Sequence, residues 1–274
     1  MQQLYVFGTG NAQAVNCYNT CFALRADDDY LMVDAGGGNS ILRILREIDV
    51  PLTSIHHLFV SHAHTDHVLG VVWVMRMIAQ SMKKEQYTGK LHVYCHKELS
   101  EQLHTLCEIT FPTKKLCRLL DDRIVFVVVG DGESRTILGH ELTFFDLGSV
   151  KMKQFGFRIR LREGGTLCFA GDEPLQEHNR KYAADADWLL HEAFCCYADR
   201  EKYQPYEKSH STAKDACELA QSLGVRQLVL WHTEDNDLPH RKERYGTERG
   251  GYSGALMIPD DGEILDLNPA HSPV

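Results

Sequence analysis

The chain has 274 residues, of which 43% are hydrophobic and 24% charged, a composition typical of a globular protein with a sizeable core. Because 38 Asp and Glu outnumber 29 Lys and Arg, the formal net charge is -9, which argues against a general binder of nucleic acid or of anionic membranes. The 15 histidines are the unusual part of the composition, since histidine is the commonest metal ligand.

Runs of apolar and β-branched residues alternate with helical patterns along the chain. These runs predict strands at residues 4–7, 30–33, 57–60, 91–95, 124–129, 142–147, 155–161, 167–170, 188–190 and 228–231. Apolar residues three and four positions apart predict helices at residues 40–48, 68–84, 97–109 and 212–223. Ser209 and Ser211 offer hydroxyls that suit the start of the last helix. We expect one domain, residues 1–274, in which two sheets pack together with helices outside.

The sequence gives three indications of cellular location. Residues 1–10 have neither the basic start nor the apolar run of a secretion signal. The longest apolar stretch, 68–79, contains Arg76 and is too short to cross a bilayer. The nine cysteines include no CxxC pair, which favours reduced, mostly buried thiols. We therefore expect a cytoplasmic protein without a membrane segment.

The segment 61–67, with the sequence SHAHTDH, lies between a predicted strand and a predicted helix. Core packing does not explain three histidines and one aspartate in six residues. His62 and His64 lie two apart in a turn and can reach one ion, while Asp66 and His67 at the helix start can face a second. Imidazole and carboxylate ligands suit zinc, and also manganese or iron. The segment therefore predicts a metal site.

Two further candidate ligands follow predicted strands. Asp172 comes after an apolar strand and a Gly turn, and His232 follows the run 228–231. Taken alone, Asp172 is equally well explained as a turn residue, and His232 as a surface histidine. Because chemistry in α/β sheets gathers beyond the carboxyl ends of strands, we expect both side chains to meet the 61–67 segment.

The HxHxDH pattern resembles the signature of the metallo-β-lactamase superfamily, and the chain is most similar to its ribonuclease Z-like branch. Six further segments carry the resemblance, namely FGTG at 7–10, VDAGG at 33–37, AGD at 170–172, HEA at 191–193, HST at 210–212 and LWH at 230–232. The resemblance implies an α/β fold, the four-layer αββα metallo-β-lactamase sandwich. It also implies two metal ions at the edge of the sheets, bound by His62, His64, Asp66, His67, Asp172 and His232, with Asp172 bridging.

The resemblance further implies a metal-dependent hydrolase that cleaves a phosphodiester or other small ester through a metal-bound hydroxide. Asp66 is then the residue that orients the nucleophile, and Glu192 and His210 form the pair that protonates the leaving group. The alternative for His210 is simple support of a helix cap. For His191 we favour an orienting role over direct ligation.

One ligand of the family pattern is missing. The third histidine of the first metal site is expected at the position that Gly148 occupies, and His140 lies eight residues earlier. The second site keeps its full set of ligands, whereas the first keeps His62, His64 and a share of Asp172. We therefore expect one or two zinc ions bound with unequal affinity, and a higher stoichiometry after the substitution Gly148→His.

Two other functions remain open. One is processing of tRNA 3′ ends, but ribonuclease Z carries a long basic arm before the bridging aspartate, and Gly148 and Asp172 lie only 24 positions apart. The other is a weakly catalytic protein that binds a metal and a ligand. The absence of the third histidine is consistent with this alternative. The charge of -9 favours a small, anionic substrate over nucleic acid. The resemblance also implies a possible homodimer.

Overall fold

The computed structural model describes residues 3–162 and 164–267, which form two seven-stranded sheets. The ends of the predicted domain, residues 1–2 and 268–274, lie outside the described residues. The strands are β1 (Gln3–Gly8), β2 (Cys21–Ala26), β3 (Asp29–Val33), β4 (Ile55–Phe59), β5 (Leu91–Cys95), β6 (Ile124–Val128), β7 (Ser134–Ile137), β8 (His140–Asp146), β9 (Phe155–Arg160), β10 (Thr166–Phe169), β11 (Trp188–Glu192), β12 (Gln227–Trp231), β13 (Ala255–Met257) and β14 (Ile264–Asp266).

Helices connect and flank these strands. The α-helices are α1 (Ser40–Glu47), α2 (Thr65–Lys83), α3 (Lys97–Thr110), α4 (Lys114–Cys117), α5 (Arg180–Ala183), α6 (Arg200–Tyr203), α7 (Ala213–Ser222) and α8 (Arg241–Thr247). Short 3₁₀ helices lie at Leu52–Ser54, Glu177–Asn179, Tyr197–Asp199, Tyr206–Lys208 and Leu238–His240. In the described part of the chain, no helix is both long and apolar enough to cross a membrane.

The two sheets share one plan. The first has the strand order β14-β1-β2-β3-β4-β5-β6 and the second β13-β12-β11-β10-β9-β8-β7. In the first, β3 to β6 are parallel and the pairs from β14 to β3 are antiparallel. In the second, β10 to β13 are parallel and the pairs from β7 to β10 are antiparallel. Each sheet therefore brings the carboxyl ends of several parallel strands to one edge, where a site can form.

Apolar side chains hold the sheets face to face. The ring of Phe22 lies 4.8 Å from that of Trp231, and the ring of Phe59 lies 5.4 Å from that of Phe157. On its other face the first sheet packs against the helices that contribute the buried Ile44, Val74 and Leu103. The second sheet packs against α7 and α8, whose buried residues include Ala216 and Tyr245. This arrangement is the predicted four-layer αββα sandwich.

The predicted elements are present, with differences that have physical causes. Prediction missed β2, whose sequence CFALRA is buried at nearly every position and so lacks the alternation of a half-exposed strand. It also missed β7, β13 and β14, and β14 returns from the second half of the chain to pair with β1. All nine cysteines are free thiols, and seven of them are buried.

Two helix starts also differ from the prediction. Helix α2 begins at Thr65 rather than at residue 68, because its first turn is polar and carries Asp66, a charge that suits a helix N-terminus. Helix α7 is capped by Thr212 and Asp215 in a capping box. The prediction that the hydroxyls of Ser209 or Ser211 cap this helix was therefore wrong.

Candidate metal centre

The candidate site lies where the carboxyl ends of strands from both sheets meet. Asp34 follows β3, the segment 60–64 links β4 to α2, and Asp172 lies three residues after β10. Glu192 is the last residue of β11, and His232 follows β12. The sequence placed four of these five segments in the site, and the topology explains why they converge.

Two of the candidate ligand histidines are oriented by hydrogen bonds to their Nδ1 atoms. The Nδ1 atom of His67 lies 2.8 Å from Oδ2 of Asp34. The hydroxyl of Ser61 donates to the same carboxylate oxygen at 2.6 Å and lies 2.9 Å from Nδ1 of His62. With the proton held on Nδ1, each ring presents the lone pair of Nε2. Both histidines are thus set up to bind a metal through Nε2.

The potential ligand atoms crowd around one carboxylate oxygen. Oδ2 of Asp172 lies 3.3 Å from Nε2 of His62, 3.5 Å from Nε2 of His67 and 3.7 Å from Nε2 of His232. Nε2 of His67 also lies 3.3 Å from Oδ2 of Asp66. All five residues are buried, so the polar atoms face one another rather than water.

These atoms form two groups that fit a metal ion. His62, His67 and Asp172 make one group, while Asp66, His67 and His232 make the other, with ligand atoms within 4.8 Å of one another. Among the described residues, Oδ2 of Asp66, Nε2 of His67 and Oδ1 of Asp172 are buried without a hydrogen-bond partner. Buried polar atoms are rarely left unpaired. A bound cation would satisfy all three.

The electrostatics of the cluster also favour a cation. Burial raises the pKa of Asp172, but His62, His67 and His232 outweigh this effect and hold its pKa well below the usual value. Burial lowers the pKa of His232 to about 4. Ionised carboxylates and neutral imidazoles are the forms that bind metals. Burial lowers the pKa of His67, but Asp34 and Asp66 outweigh it and raise that pKa, so without a metal His67 takes up a second proton that a bound cation would displace.

His64 lies at the partly exposed side of the cluster, next to His62. Its Nδ1 atom lies 2.9 Å from Nε2 of His62, and its ring is half-buried. His64 belongs to neither of the two groups that fit a metal ion. It lies beside the first group because it contacts His62. As the N-cap residue of α2, it has an extended backbone with φ -62° and ψ 149°, which separates it from the helical Asp66 and His67.

The predicted acid–base pair lies next to the cluster. Nδ1 of His210 is 3.5 Å from Oε2 of Glu192, and the rings of His210 and His232 have centroids 5.4 Å apart. The other oxygen of Glu192 accepts hydrogen bonds from the backbone N–H and the hydroxyl of Ser211, both at 2.6 Å. Since Thr212 caps α7, His210 is not needed for helix capping.

The surroundings of Gly148 differ from the sequence expectation. Gly148 has φ +73°, and a Cβ atom at this position would lie 3.0 Å from Cε1 of His178. A side chain here would therefore meet His178 instead of open space. His140 starts β8, at the end of the strand away from Gly148, and its Nδ1 bonds the carbonyl of Arg160 at 2.9 Å. Neither histidine belongs to the two ligand groups.

Sequence reasoning missed two residues and left a third partly open. Asp34 and Ser61 orient the candidate ligands His62 and His67, and the only sequence signal was their place at the ends of β3 and β4, with Asp34 in the VDAGG turn. His191 is buried, with Nδ1 2.7 Å from the carbonyl of Glu192 and Nε2 accepting from the N–H of Leu175 at 3.3 Å. His191 therefore holds the backbone after Asp172, which fits the orienting interpretation.

Comparisons with known proteins agree with this architecture. A ribonuclease Z of Myxococcus xanthus is 26% identical over 97% of this chain and 97% of its own length. The metallo-β-lactamase fold protein YhfI from Bacillus subtilis has a TM-score of 0.78 at 19% identity and covers 97% of this chain and 99% of its own. A diphosphatase from the PhnP family has a TM-score of 0.74 at 16% identity, covering 97% and 96%.

These likenesses confirm the metallo-β-lactamase fold and the ribonuclease Z-like relationship. The sequence model of one family, described as the Anti-Pycsar protein Apyc1, matches residues 2–249. That span includes every residue of the candidate metal centre, from Asp34 to His232. The chain therefore belongs to the Anti-Pycsar protein Apyc1 family.

Proposed function

We propose that this protein is a metal-dependent hydrolase that cleaves a small, anionic phosphodiester or a similar small ester. Relatives named ribonuclease Z and a structural neighbour described as a diphosphatase support hydrolysis of a phosphoester. The proposal rests on the position of Asp172, whose Oδ2 atom lies within 3.7 Å of three histidine nitrogens. This cluster stands next to the Glu192 and His210 pair, and the combination suits hydrolysis better than binding alone.

The ligand set supports zinc as the metal, with manganese or iron as alternatives. We propose that His62, His64 and Asp172 hold one ion, and that Asp66, His67, His232 and Asp172 hold a second. Bound ions would activate water and neutralise the charge that develops on the phosphoryl group. Because Gly148 leaves the first set short of one histidine, we expect the first ion to bind more weakly.

The protein groups then supply orientation and a proton. We propose that Asp66, which is buried with Oδ2 3.3 Å from Nε2 of His67, accepts a hydrogen bond from the attacking water. Glu192 accepts two hydrogen bonds from Ser211 through one oxygen and turns the other toward Nδ1 of His210. A carboxylate on Nδ1 favours the protonated ring, so the opposite nitrogen, Nε2, can give its proton to the leaving alcohol.

Charges around His210 support a small anionic substrate. The amino group of Lys151 bonds the carbonyl of Lys208 and lies 3.8 Å from Glu173. The Nζ atom of Lys208 lies 5.0 Å from the ring centroid of Phe194, which stacks on His210. Two lysines next to the acid–base pair can attract one phosphate, although the chain as a whole is acidic.

A tRNA 3′-processing nuclease is the second candidate. The ribonuclease Z relative from Myxococcus xanthus matches nearly its whole length, which favours this alternative. Against it, the chain between Gly148 and Asp172 contributes β9 and β10 to the second sheet, in the interval where a tRNA-binding arm is expected. The net charge of -9 also opposes a large polyanion.

Location and assembly follow as expectations of the same proposal. The buried, free cysteines favour a reducing compartment, and we propose the cytoplasm. A homodimer is expected from the resemblance, and sedimentation of the purified protein would test it.

One experiment separates these functions. The chelated protein is reloaded with zinc, manganese or iron and tested on bis(p-nitrophenyl) phosphate, a sulfate ester, a lactone, a thioester and a pre-tRNA transcript. We expect metal-dependent turnover of the phosphodiester, lost in Asp172→Asn and kept in Asp28→Asn, whose side chain is fully exposed. Faster cleavage of the transcript would favour the nuclease. Tight metal binding without turnover of any compound would favour the non-catalytic alternative.

A further inference from the structure

We infer that Phe194 is a positioning residue that fixes the plane of the His210 ring. This inference rests on the proposed function, since it concerns the residue that protonates the leaving group. The two rings stack with centroids 4.8 Å apart and an angle of 10° between their planes, an arrangement that aromatic pairs favour. On another side, His210 approaches His232, so its ring stands between Phe194 and the metal cluster.

The contact with Glu192 does not by itself hold the ring. The separation between Nδ1 of His210 and Oε2 of Glu192 is 3.5 Å, longer than an ordinary hydrogen bond. Both atoms are buried, and they have no hydrogen-bond partner among the described residues. Rotation about the last torsion of a histidine is otherwise broad. A further restraint is needed to keep Nδ1 facing Glu192.

Phe194 supplies that restraint, because rotation of the His210 ring would drive its edge into the face of the phenyl ring. Phe194 is itself held firmly. Its backbone N–H donates to the carbonyl of Ser211 at 3.0 Å, and its carbonyl accepts from the N–H of Glu234 at 2.8 Å and from the hydroxyl of Tyr245 at 3.1 Å. Its side chain is buried. A fixed phenyl ring can therefore determine the orientation of its neighbour.

The bond to Ser211 links this restraint to the acid–base pair. Ser211 follows His210, and it donates to Glu192 through both its N–H and its hydroxyl. Phe194 and Glu192 thus both hydrogen-bond to Ser211, the residue after His210. Glu192 sets the position of this short segment, while Phe194 sets the angle of the histidine ring.

The first test uses the leaving group of the substrate. Protonation of the leaving group by a general acid contributes little to the rate when the leaving group is p-nitrophenolate. It contributes much more when the leaving group is a poorer one such as phenolate. In Phe194→Leu we expect kcat for a phenyl diester to fall about tenfold or more, with KM unchanged and a much smaller loss on the p-nitrophenyl diester. Phe194→Tyr, which keeps the ring, should restore the phenyl reaction.

A matched control separates this effect from general damage to the core. Phe145 also stacks on an aromatic ring, that of Tyr182, at 4.3 Å and 6°, but this pair lies on the helix side of the second sheet. We expect Phe145→Leu to leave the ratio of phenyl to p-nitrophenyl rates unchanged. In a His210→Ala background, Phe194→Leu should cause no further leaving-group-dependent loss. An equal loss on both substrates, or full additivity with His210→Ala, would overturn the inference.

A second readout does not depend on turnover. In NMR spectra of metal-free protein with labelled histidine, the ring C–H signals of His210, assigned by their absence from His210→Ala, should be shifted by the stacked phenyl ring. Loss of the phenyl ring current by itself moves these signals, so the linewidth is the readout: we expect Phe194→Leu to broaden them and Phe194→Tyr to keep them sharp. Signals as sharp in Phe194→Leu as in the wild type would refute the positioning role. If the wild type cleaves no diester, the proposed function fails, and these spectra still decide the role of Phe194.

Discussion

Asp34 accepts the Nδ1 proton of His67 at 2.8 Å, although the two residues lie 33 positions apart in the sequence. The same carboxylate oxygen binds the hydroxyl of Ser61 at 2.6 Å, and that hydroxyl lies next to His62. One buried aspartate therefore orients a histidine of each ligand group, directly or through a serine. It also places a carboxylate behind the candidate metal ligands.

We predict that Asp34→Asn weakens metal binding by about 10- to 100-fold. The amide would donate to Nδ1 of His67 and move the ring proton to Nε2, the atom that faces the ligand cluster. Asparagine tolerates the backbone of Asp34, which has φ +54°, so the fold should persist. Competition with a chelating dye measures the affinity. Asp28→Asn is the control, and equal affinities in the two variants would contradict the prediction.

Removal of metal should lower the stability of the fold. The buried cluster contains Asp34, Asp66 and Asp172, whose mutual repulsion a cation would relieve. At a free metal concentration 100 times Kd, binding should add about 2.7 kcal/mol to the free energy of unfolding. Thermal unfolding with and without a chelator checks this, and elemental analysis after mild chelation should give between one and two ions per chain. An unchanged Tm would count against a structural effect of the metal.

His210→Ala should affect substrates according to their leaving groups. General acid catalysis contributes about 10²- to 10⁴-fold, so we expect a loss of that size on a phenyl diester and a small loss on bis(p-nitrophenyl) phosphate. The ratio of the two kcat values is the measurement. Glu192→Gln should follow the same pattern, because it removes the charge that favours the protonated ring. A uniform loss would assign His210 to binding instead.

His57 should make stability depend on pH. Burial, with His92 and His56, lowers the pKa of His57 to about 4 in the folded protein, against about 6.5 in an unfolded chain. Between these values the unfolded state binds more protons, so stability should fall as the pH drops from 6.5 toward 4. In His57→Phe this contribution is absent. The difference in unfolding free energy between wild type and variant should therefore vary across this pH window, and a constant difference would be the contrary result.

Gly148→Ala should destabilise the fold by about 1 kcal/mol or more, because φ is +73° and an L-residue is strained there. The added Cβ would also press on His178. For the same reasons, Gly148→His should lower stability without a gain in metal, in contrast to the expectation from the sequence alone. Chemical denaturation and elemental analysis measure the two effects. Higher metal content in Gly148→His would support the original expectation from the sequence.

Much of the site could be predicted because its residues carry strong local signals. The SHAHTDH segment has a spacing that few structures other than a metal site explain, and Asp172 and His232 each follow an apolar strand. Asp34 gave no comparable signal, since an aspartate in a glycine turn is common. Its role depends on β3 pairing with β4, and such pairing is a property of the fold.

Other features depended on tertiary contacts in the same way. The position of His178 against Gly148 brings together residues 30 apart, and nothing in the loop sequence indicates it. The stack of Phe194 on His210 arises because β11 and the segment before α7 meet through the bond from Phe194 to Ser211. Strand β2 was missed because burial on both faces removed its alternation.

The pairing of β14 with β1 has a consequence for synthesis on the ribosome. Strand β1 is made long before its outer neighbour β14, which becomes available only when residues 264–266 have left the exit tunnel. Until then β1 is an open edge with unpaired backbone groups, a form that invites association with other chains. We expect nascent or truncated chains that end before Ile264 to aggregate or to need chaperones.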